Sequence, residues 1–317
     1  MKIKNLNKYS YFLGLIILGI ILIKIDLREL KNTFYQINIK YFIAAGFLTI
    51  PMLLNKAWCW QYLTKKQGIS YSLKNSFLMY GSGIFLGSVT PGKIGDFAKI
   101  FYLKKDGHSP IKAFVATLVD RFLDLGVFLT ISFIGLLFFT ALFKRHLILS
   151  GVLLTTIMLI TTIFLKNNFY KKLAKKIFYK ITPQKYQETW KININGFWEN
   201  LKVYKLKNYL TAILITLTSL TFYFGQMKLI ALGLGLTQIS LIYLIFAVSI
   251  AGLISLIPIS IAGIGTRDAA LIIIFGKFLI SKELALIFSA SILLLTLVFV
   301  PIGFICYLLK PIRIKTN

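Results

Sequence analysis

Acidic residues, histidine and cysteine are scarce in this sequence of 317 residues. Ten Asp and Glu stand against 37 Lys and Arg, and there are two His and two Cys. Cys59 and Cys306 lie in apolar stretches, and His108 and His146 have no candidate ligands close by in the sequence. These scarcities exclude a disulfide framework and argue against a zinc or redox enzyme. We therefore predict no metal, no cofactor and no catalytic residue.

Apolar residues are abundant, at 57% of the chain, with 15% charged residues and a mean hydropathy of +0.77. Several apolar runs approach the length needed to cross a bilayer. The composition predicts an all-α, polytopic integral membrane protein. The first run, 9–23, resembles a signal peptide, but "KIDLREL" follows it without a small-residue cleavage site, which favours a retained span.

The apolar runs predict a single membrane domain over 1–317 with about eight spanning helices. We place them near 9–25, 41–63, 111–141, 146–165, 209–230, 238–257, 268–281 and 284–309. The segment 75–103 is predicted to be embedded in the membrane as well, but broken in its middle or re-entrant. The run 268–281 is too short to cross about 30 Å as a straight helix, which suggests half of a broken one.

The net charge of +27 has two readings, a nucleic-acid partner or a membrane surface. Here the Lys residues cluster at the ends of the predicted spans, which favours an anionic lipid surface and argues against nucleic acid. With the N-terminus inside and 75–103 re-entrant, 25 Lys and Arg lie on the inner side and nine on the outer side. This asymmetry predicts a multi-pass protein of the cell membrane with both termini cytoplasmic.

The long region 166–208 carries apolar residues at helical spacing between many Lys residues. The second of its two stripes consists of Trp190, Ile194, Phe197, Leu201 and Tyr204. Basic amphipathic helices of this kind are typical of segments that lie in the cytoplasmic headgroup layer. A soluble linker hairpin is the alternative.

Four of the ten acids lie within or at the edge of apolar segments: Asp96, Asp120, Asp124 and Asp268. Each has a cation within three residues, namely Lys93 or Lys99, Arg121, and Arg267. Since a charge at membrane depth is costly, such residues usually face a bundle interior or a wet cavity and pair there. In "DRFLD", Arg121 and Asp124 have the i,i+3 spacing of a helical ion pair. A purely structural bridge between helices is the alternative.

Two glycine-rich breaks accompany these charges: "SVTPGKIGDFA" over 88–98 and "SIAGIGTRDAA" over 260–270. Proline removes a backbone donor and glycine permits non-helical backbone, so a helix should stop and restart at each break. Such backbone survives at membrane depth only where protein buries it or where it lines an aqueous cavity. The restarting helices offer N-terminal amides to an anion. Paired breaks in two halves suggest an inverted repeat.

These stretches resemble a flippase-like membrane family that includes the transmembrane flippase domain of bacterial lysylphosphatidylglycerol synthases. The resemblance lies in "TPGKIGDFAKIFYLKK" (90–105), "VDRFLDL" (119–125) and "PISIAGIGTRDAALIIIF" (258–275) and covers nearly the whole chain. The matching motif residues, together with Lys93, are our predicted substrate-binding residues: Thr90, Pro91, Gly92, Lys93, Gly95, Asp96, Asp120, Arg121, Asp124, Gly263, Gly265, Arg267 and Asp268. The lysyl-transferring members carry a soluble acyltransferase domain after the membrane part, whereas this sequence ends at "KPIRIKTN". The resemblance thus implies the lipid-translocating half without the aminoacyl-transfer half.

We therefore expect a transporter that moves a lipid with a polar, phosphate-bearing head between leaflets. The expected partner is a membrane phospholipid or a polyprenyl-phosphate-type lipid, with a homo-oligomer as an open alternative. A rival class is a lipid-modifying membrane enzyme, although the sequence shows no nucleophile–base pair, metal set or nucleotide loop. A third reading is a membrane partner subunit of a separate lipid synthase.

Overall fold

The computed structural model describes residues 37–88, 95–138, 194–255 and 263–311, together with Ile23, Arg28 and Tyr35. The regular structure of these residues is entirely helical, with no strand among them. In chain order the helices are α1 (Ile39–Phe47), α2 (Thr49–Lys66), α3 (Leu73–Ser88), α4 (Ala98–Lys105), α5 (Pro110–Phe138), α6 (Ile194–Lys202), α7 (Leu206–Gly233), α8 (Leu241–Ser255), α9 (Thr266–Phe275) and α10 (Lys282–Leu309).

Three helices within the described ranges are long and apolar enough to cross a membrane: Ile39–Lys66, which joins α1 and α2, then α7 and α10. Each has 28 residues. A helix of that length measures about 42 Å, more than the roughly 30 Å of a hydrocarbon core. The helices predicted near 41–63, 209–230 and 284–309 are confirmed. The predictions at 9–25 and 146–165 lie outside the described residues.

Two pairs of shorter helices stand at the predicted breaks. The segment predicted to be embedded, 75–103, forms α3 and α4. The predicted runs 238–257 and 268–281 correspond to α8 and α9. Helix α9 has ten residues and leads into a 3-10 turn at Gly276–Phe278. At about 1.5 Å per residue, α9 is too short to cross a bilayer, as the length of its apolar run indicates.

The order of helices occurs twice along the chain. A long helix, a helix of about four turns, a break, a short helix and a second long helix follow one another from α1 to α5 and again from α7 to α10. The packing repeats in the same way. The four-turn helix of each set packs against the last long helix of the other set: α3 against α10, and α8 against α5. In each set the short helix packs on the helix before it and the helix after it.

Corresponding long helices run antiparallel. Along the contact of α1 and α2 with α7, Gln226 Nε2 donates to the Ala45 carbonyl at 2.9 Å, and Ser219 Oγ donates to the Met52 carbonyl at 3.1 Å. From the first contact to the second, the residue number rises from 45 to 52 on one helix and falls from 226 to 219 on the other. The two helices therefore cross the molecule in opposite directions.

The contact between α3 and α10 is antiparallel too. Lys310 Nζ donates to Asn75 Oδ1 at 3.5 Å at one end, and the rings of Phe85 and Phe304 lie 5.3 Å apart further along. The corresponding contact between α5 and α8 sets Gly135 beside Phe246 and Gly252 beside Phe128. Glycine on both sides of a helix contact lets the backbones approach closely.

Within the region 166–208, the described helices are α6 and the first residues of α7, which begins at Leu206. Helix α6 carries part of the predicted stripe. It packs against α5, where the ring of Phe197 lies 6.3 Å from that of Phe114, and Trp198 is buried. Phe197, Leu201 and Tyr204 belong to an apolar cluster formed with α2, α5 and α7. The stripe predicted over this stretch thus faces protein here. The prediction of interfacial helices over 166–193 lies outside the described residues.

Candidate functional site

Three charged side chains of α5 meet charged partners from other elements. Asp124 pairs with Lys56 of α2. Asp120 Oδ2 lies 3.5 Å from Lys99 Nζ of α4. Arg121 Nη2 lies 3.2 Å from Oδ2 of Asp96, in the helical turn that precedes α4. We call these six residues the α5 charge cluster, and within it each carboxylate has its own cation.

The partners differ from those that sequence proximity suggested. Asp96 pairs with Arg121 rather than with Lys99, and Asp124 pairs with Lys56 rather than with Arg121. The predicted i,i+3 ion pair within α5 is therefore wrong. The reason is geometric: α5 packs against both α2 and α4, and its charged side chains meet partners of opposite charge on α2, on α4 and in the turn before α4.

Lys99 is enclosed between two aromatic rings. Its ammonium lies 4.0 Å from the ring centroid of Tyr80 and 5.4 Å from that of Trp60. The Trp60 indole donates to Thr117 Oγ1 at 3.2 Å, which fixes the ring against α5. The Lys99 side chain is 1% exposed and that of Asp120 is 0% exposed. Cation–π contacts of a desolvated ammonium add about 2 kcal/mol of attraction, so the rings help to stabilise a charge that is shielded from water.

The cluster leaves two polar atoms without a protein partner. In the part of the chain that the structure describes, Asp120 Oδ1 and Arg121 Nε are buried and accept or donate no hydrogen bond. Unsatisfied buried groups are rare in folded proteins, and each is a candidate contact for water or ligand. The Arg121 side chain is also 32% exposed, which makes it the most accessible member of the cluster.

The first break brings its backbone close to the end of α3. A Cβ on Gly95 would lie 2.1 Å from the carbonyl carbon of Leu86, so only glycine fits there. This close approach positions Asp96 for its pair with Arg121. The predicted site residues Thr90, Pro91, Gly92 and Lys93 lie outside the described residues.

The second break forms a separate, hydrogen-bonded group. Gly263 and Gly265 have φ of +80° and +82°, which is a backbone conformation that favours glycine. Asp268 Oδ2 accepts the Gly265 N–H at 2.8 Å and so caps the start of α9. Arg267 Nε donates to Ser289 Oγ at 2.8 Å, and Ser289 Oγ donates to Asp268 Oδ1 at 2.5 Å. Ser289 of α10 therefore bridges the predicted Arg–Asp pair.

The two groups of charged residues stand on different helices. The α5 charge cluster draws on α2, α4 and α5, whereas the second group draws on α9 and α10. A single pocket formed by both breaks stays a prediction.

Sequence reasoning missed Lys56 and Ser289 as members of these groups. Lys56 had a usable signal, since it is a lysine inside the apolar run "MLLNKAWCW". A lysine at such a position needs a partner, and Asp124 supplies it. Ser289 had no comparable signal, because a serine in an apolar helix usually bonds its own backbone.

One hydrogen bond lies outside the predicted spans. The Tyr71 hydroxyl, in the connection between α2 and α3, donates to Oδ2 of Asp106 at the end of α4, at 2.7 Å. Burial raises the pKa of the Tyr71 hydroxyl above its ordinary value, and the hydrogen bond to Asp106 acts in the same direction. Tyr71 therefore stays a neutral donor. It links the connection between α2 and α3 to the end of α4.

Within the described ranges, no group of three or more His, Cys, Asp and Glu is arranged to hold a metal ion.

Long apolar helices with a paired, buried set of charges define an α-helical integral membrane protein. The comparison with known families agrees. A family model described as the lysylphosphatidylglycerol synthase TM region matches residues 9–303, and the chain belongs to that family. A curated relative is the UPF0104 membrane protein MJ1595 of Methanocaldococcus jannaschii, which is 29% identical over 301 residues, or 90% of this chain and 89% of that protein. No solved structure matches the chain.

Proposed function

We propose that this protein moves a lipid with a phosphate-bearing head between the leaflets of the cell membrane. The observation that carries the proposal is the state of Arg121. Its side chain is 32% exposed, it forms one ion pair, with Asp96, among the described residues, and its Nε lies buried without a partner there. A planar guanidinium with an unused donor matches the oxygen geometry of a phosphate.

A lipid substrate suits an open site better than a closed cavity. The acyl chains can remain in the bilayer while only the head leaves it, so a polar slot between helices is sufficient. Asp96 fits such a slot, because it holds the Arg121 guanidinium in place when no head is bound. Lys93, in the first break, is our further candidate to contact the phosphate.

The twofold helix order supports transport as well. The corresponding long helices Ile39–Lys66 and α7 run antiparallel, and the contact α3–α10 corresponds to the contact α5–α8, as expected of an inverted repeat. Inverted repeats allow a site to face each side of the membrane in turn, since the two halves can exchange their conformations. We propose this exchange, with eight spanning helices and both termini cytoplasmic, as the basis of the leaflet change.

Native mass spectrometry of the purified protein tests which lipid is held. We expect adducts whose mass corresponds to a phosphate-bearing lipid on the wild-type protein, and their loss in Arg121→Ala. Asp106→Asn is a matched control, since Asp106 lies in an exposed turn away from the α5 charge cluster. Adducts that are equally abundant in all three proteins would contradict a role of Arg121 in lipid binding.

A further inference from the structure

The α5 charge cluster is electrically balanced without any ligand. Its three cations, Lys56, Lys99 and Arg121, face three carboxylates, one partner each. A phosphate that binds at Arg121 adds negative charge to this balanced group. Uncompensated charge at membrane depth is strongly unfavourable. Within these six residues, binding of an anionic head therefore leaves one negative charge in excess unless a positive charge arrives with it.

We propose that Asp120 supplies the compensation by binding a proton when an anionic head binds at Arg121. This inference rests on the proposed function and names the ion that accompanies the lipid. The step is a simple proton transfer: an O–H bond of a hydronium ion from the solvent breaks, an O–H bond forms at Asp120 Oδ1, and a neutral acid and a water molecule result. Lys99 keeps its ammonium charge. The lipid phosphate and the proton together leave the net charge of the cluster unchanged.

Asp120 is the member of the cluster that is arranged for this role. Its Oδ1 is buried and has no hydrogen-bond partner in the described residues, so it can carry a proton without breaking an existing bond. Its contact with Lys99 is long, at 3.5 Å, and the residue is adjacent in sequence to Arg121. The ring centroid of Tyr80 lies 4.0 Å from the Lys99 ammonium and 5.9 Å from the Arg121 guanidinium carbon, so an anion at Arg121 is close to the Lys99–Asp120 pair.

Among the described residues, the groups around Asp120 offer no further cation. In the part of the chain that the structure describes, the titratable and charged groups that interact electrostatically with Asp120 are Lys56 and Cys59 on α2, Tyr80 on α3, Lys99 on α4, Arg121 and Asp124 on α5, and Tyr204 after α6. The three cations are already charged, and the thiol and phenols are neutral and can release protons only. Asp124 pairs directly with Lys56 and Asp96 with Arg121, and of the three carboxylates of the cluster only that of Asp120 has a buried oxygen without a hydrogen-bond partner among the described residues.

The first test measures proton uptake on binding. Wild-type protein in detergent is titrated with dihexanoyl phosphatidylglycerol, by calorimetry, in two buffers of different ionisation enthalpy at the same pH. We expect about one proton taken up per bound lipid. Asp120→Asn, a neutral mimic of the protonated acid, should bind the same probe without proton uptake, and Asp106→Asn should behave like the wild type. Binding by the wild-type protein without proton uptake would overturn the inference, even if Asp120→Asn does not fold.

The second test separates this inference from the proposed function. Proteoliposomes containing a fluorescent phosphatidylglycerol are given a pH difference of one unit across the membrane. One proton per lipid should shift the distribution of the lipid between leaflets by up to about tenfold. Leaflet exchange whose final lipid distribution is independent of the pH difference would overturn proton coupling without contradicting transport. Proton uptake on binding together with no leaflet exchange would contradict transport while supporting Asp120 as the proton site.

Discussion

Lys56 of α2 and Asp124 of α5 form an ion pair although 68 residues separate them in the chain. Both side chains are largely buried, at 16% and 22% exposed. The pair joins the helix Ile39–Lys66 to the helix that carries the predicted Asp-Arg-x-x-Asp motif. It therefore fixes the register between two elements of the candidate site.

Removing one member of that pair should destabilise the protein. Lys56→Met leaves Asp124 charged and unpaired between helices, and we expect a loss of about 1–3 kcal/mol, less than for a fully buried pair because both groups retain some exposure. The double variant Lys56→Met, Asp124→Leu should recover much of this loss. Thermal unfolding in detergent measures both. Additive losses from the two single changes would show that the side chains are not coupled.

Gly95 should not tolerate a side chain. A Cβ there would lie 2.1 Å from the Leu86 carbonyl carbon, so Gly95→Ala must displace the break or the end of α3. We expect a loss of about 1–3 kcal/mol in thermal unfolding, together with a weakened Asp96–Arg121 pair. Gly126 of α5 is the matched control, since a Cβ there meets nothing within 4 Å. Gly126→Ala should be neutral or stabilise by up to about 1 kcal/mol. An equal response of both variants would contradict the close approach.

The helices and the positions of both breaks could be predicted from the sequence, because apolar length, glycine and proline act locally. The partners of Asp96, Asp120 and Asp124 could not. They depend on which helices pack together, and a charge motif on one helix does not specify its neighbours. Likewise, the spacing of the apolar stripe that includes Phe197 does not distinguish a helix that faces lipid from one that faces protein. In the structure, this side of α6 faces protein.

Membrane orientation can be tested with single cysteines, because Cys59 and Cys306 are buried and should react little. Ser109 and Gln238 are both exposed in turns between helices. With both termini cytoplasmic, Gln238→Cys should react with an impermeant thiol reagent in intact cells, and Ser109→Cys should react only after the cells are opened. The reverse pattern would show that the predicted orientation is wrong.

The single-pocket prediction concerns the two breaks. If Lys93 and Arg267 contact one lipid head, Lys93→Ala and Arg267→Ala should each slow leaflet exchange, and the double variant should lose much less than the product of the two effects predicts. Cysteines at Ile94 and Thr266 should then form a short-range crosslink. Independent, additive losses without any crosslink would mean that the breaks serve separate purposes.

The most direct test of lipid transport by way of Arg121 is leaflet exchange in proteoliposomes. Dithionite quenching follows fluorescent phosphatidylglycerol in vesicles that contain the wild-type protein, Arg121→Lys or Lys105→Arg, the last being a control at an exposed basic residue. We predict rapid exchange for the wild type and the control, and exchange at least about tenfold slower for Arg121→Lys, because a point charge does not replace a planar fork. Wild-type vesicles no faster than protein-free vesicles would contradict transport, and Arg121→Lys as fast as the wild type would contradict the role of the guanidinium.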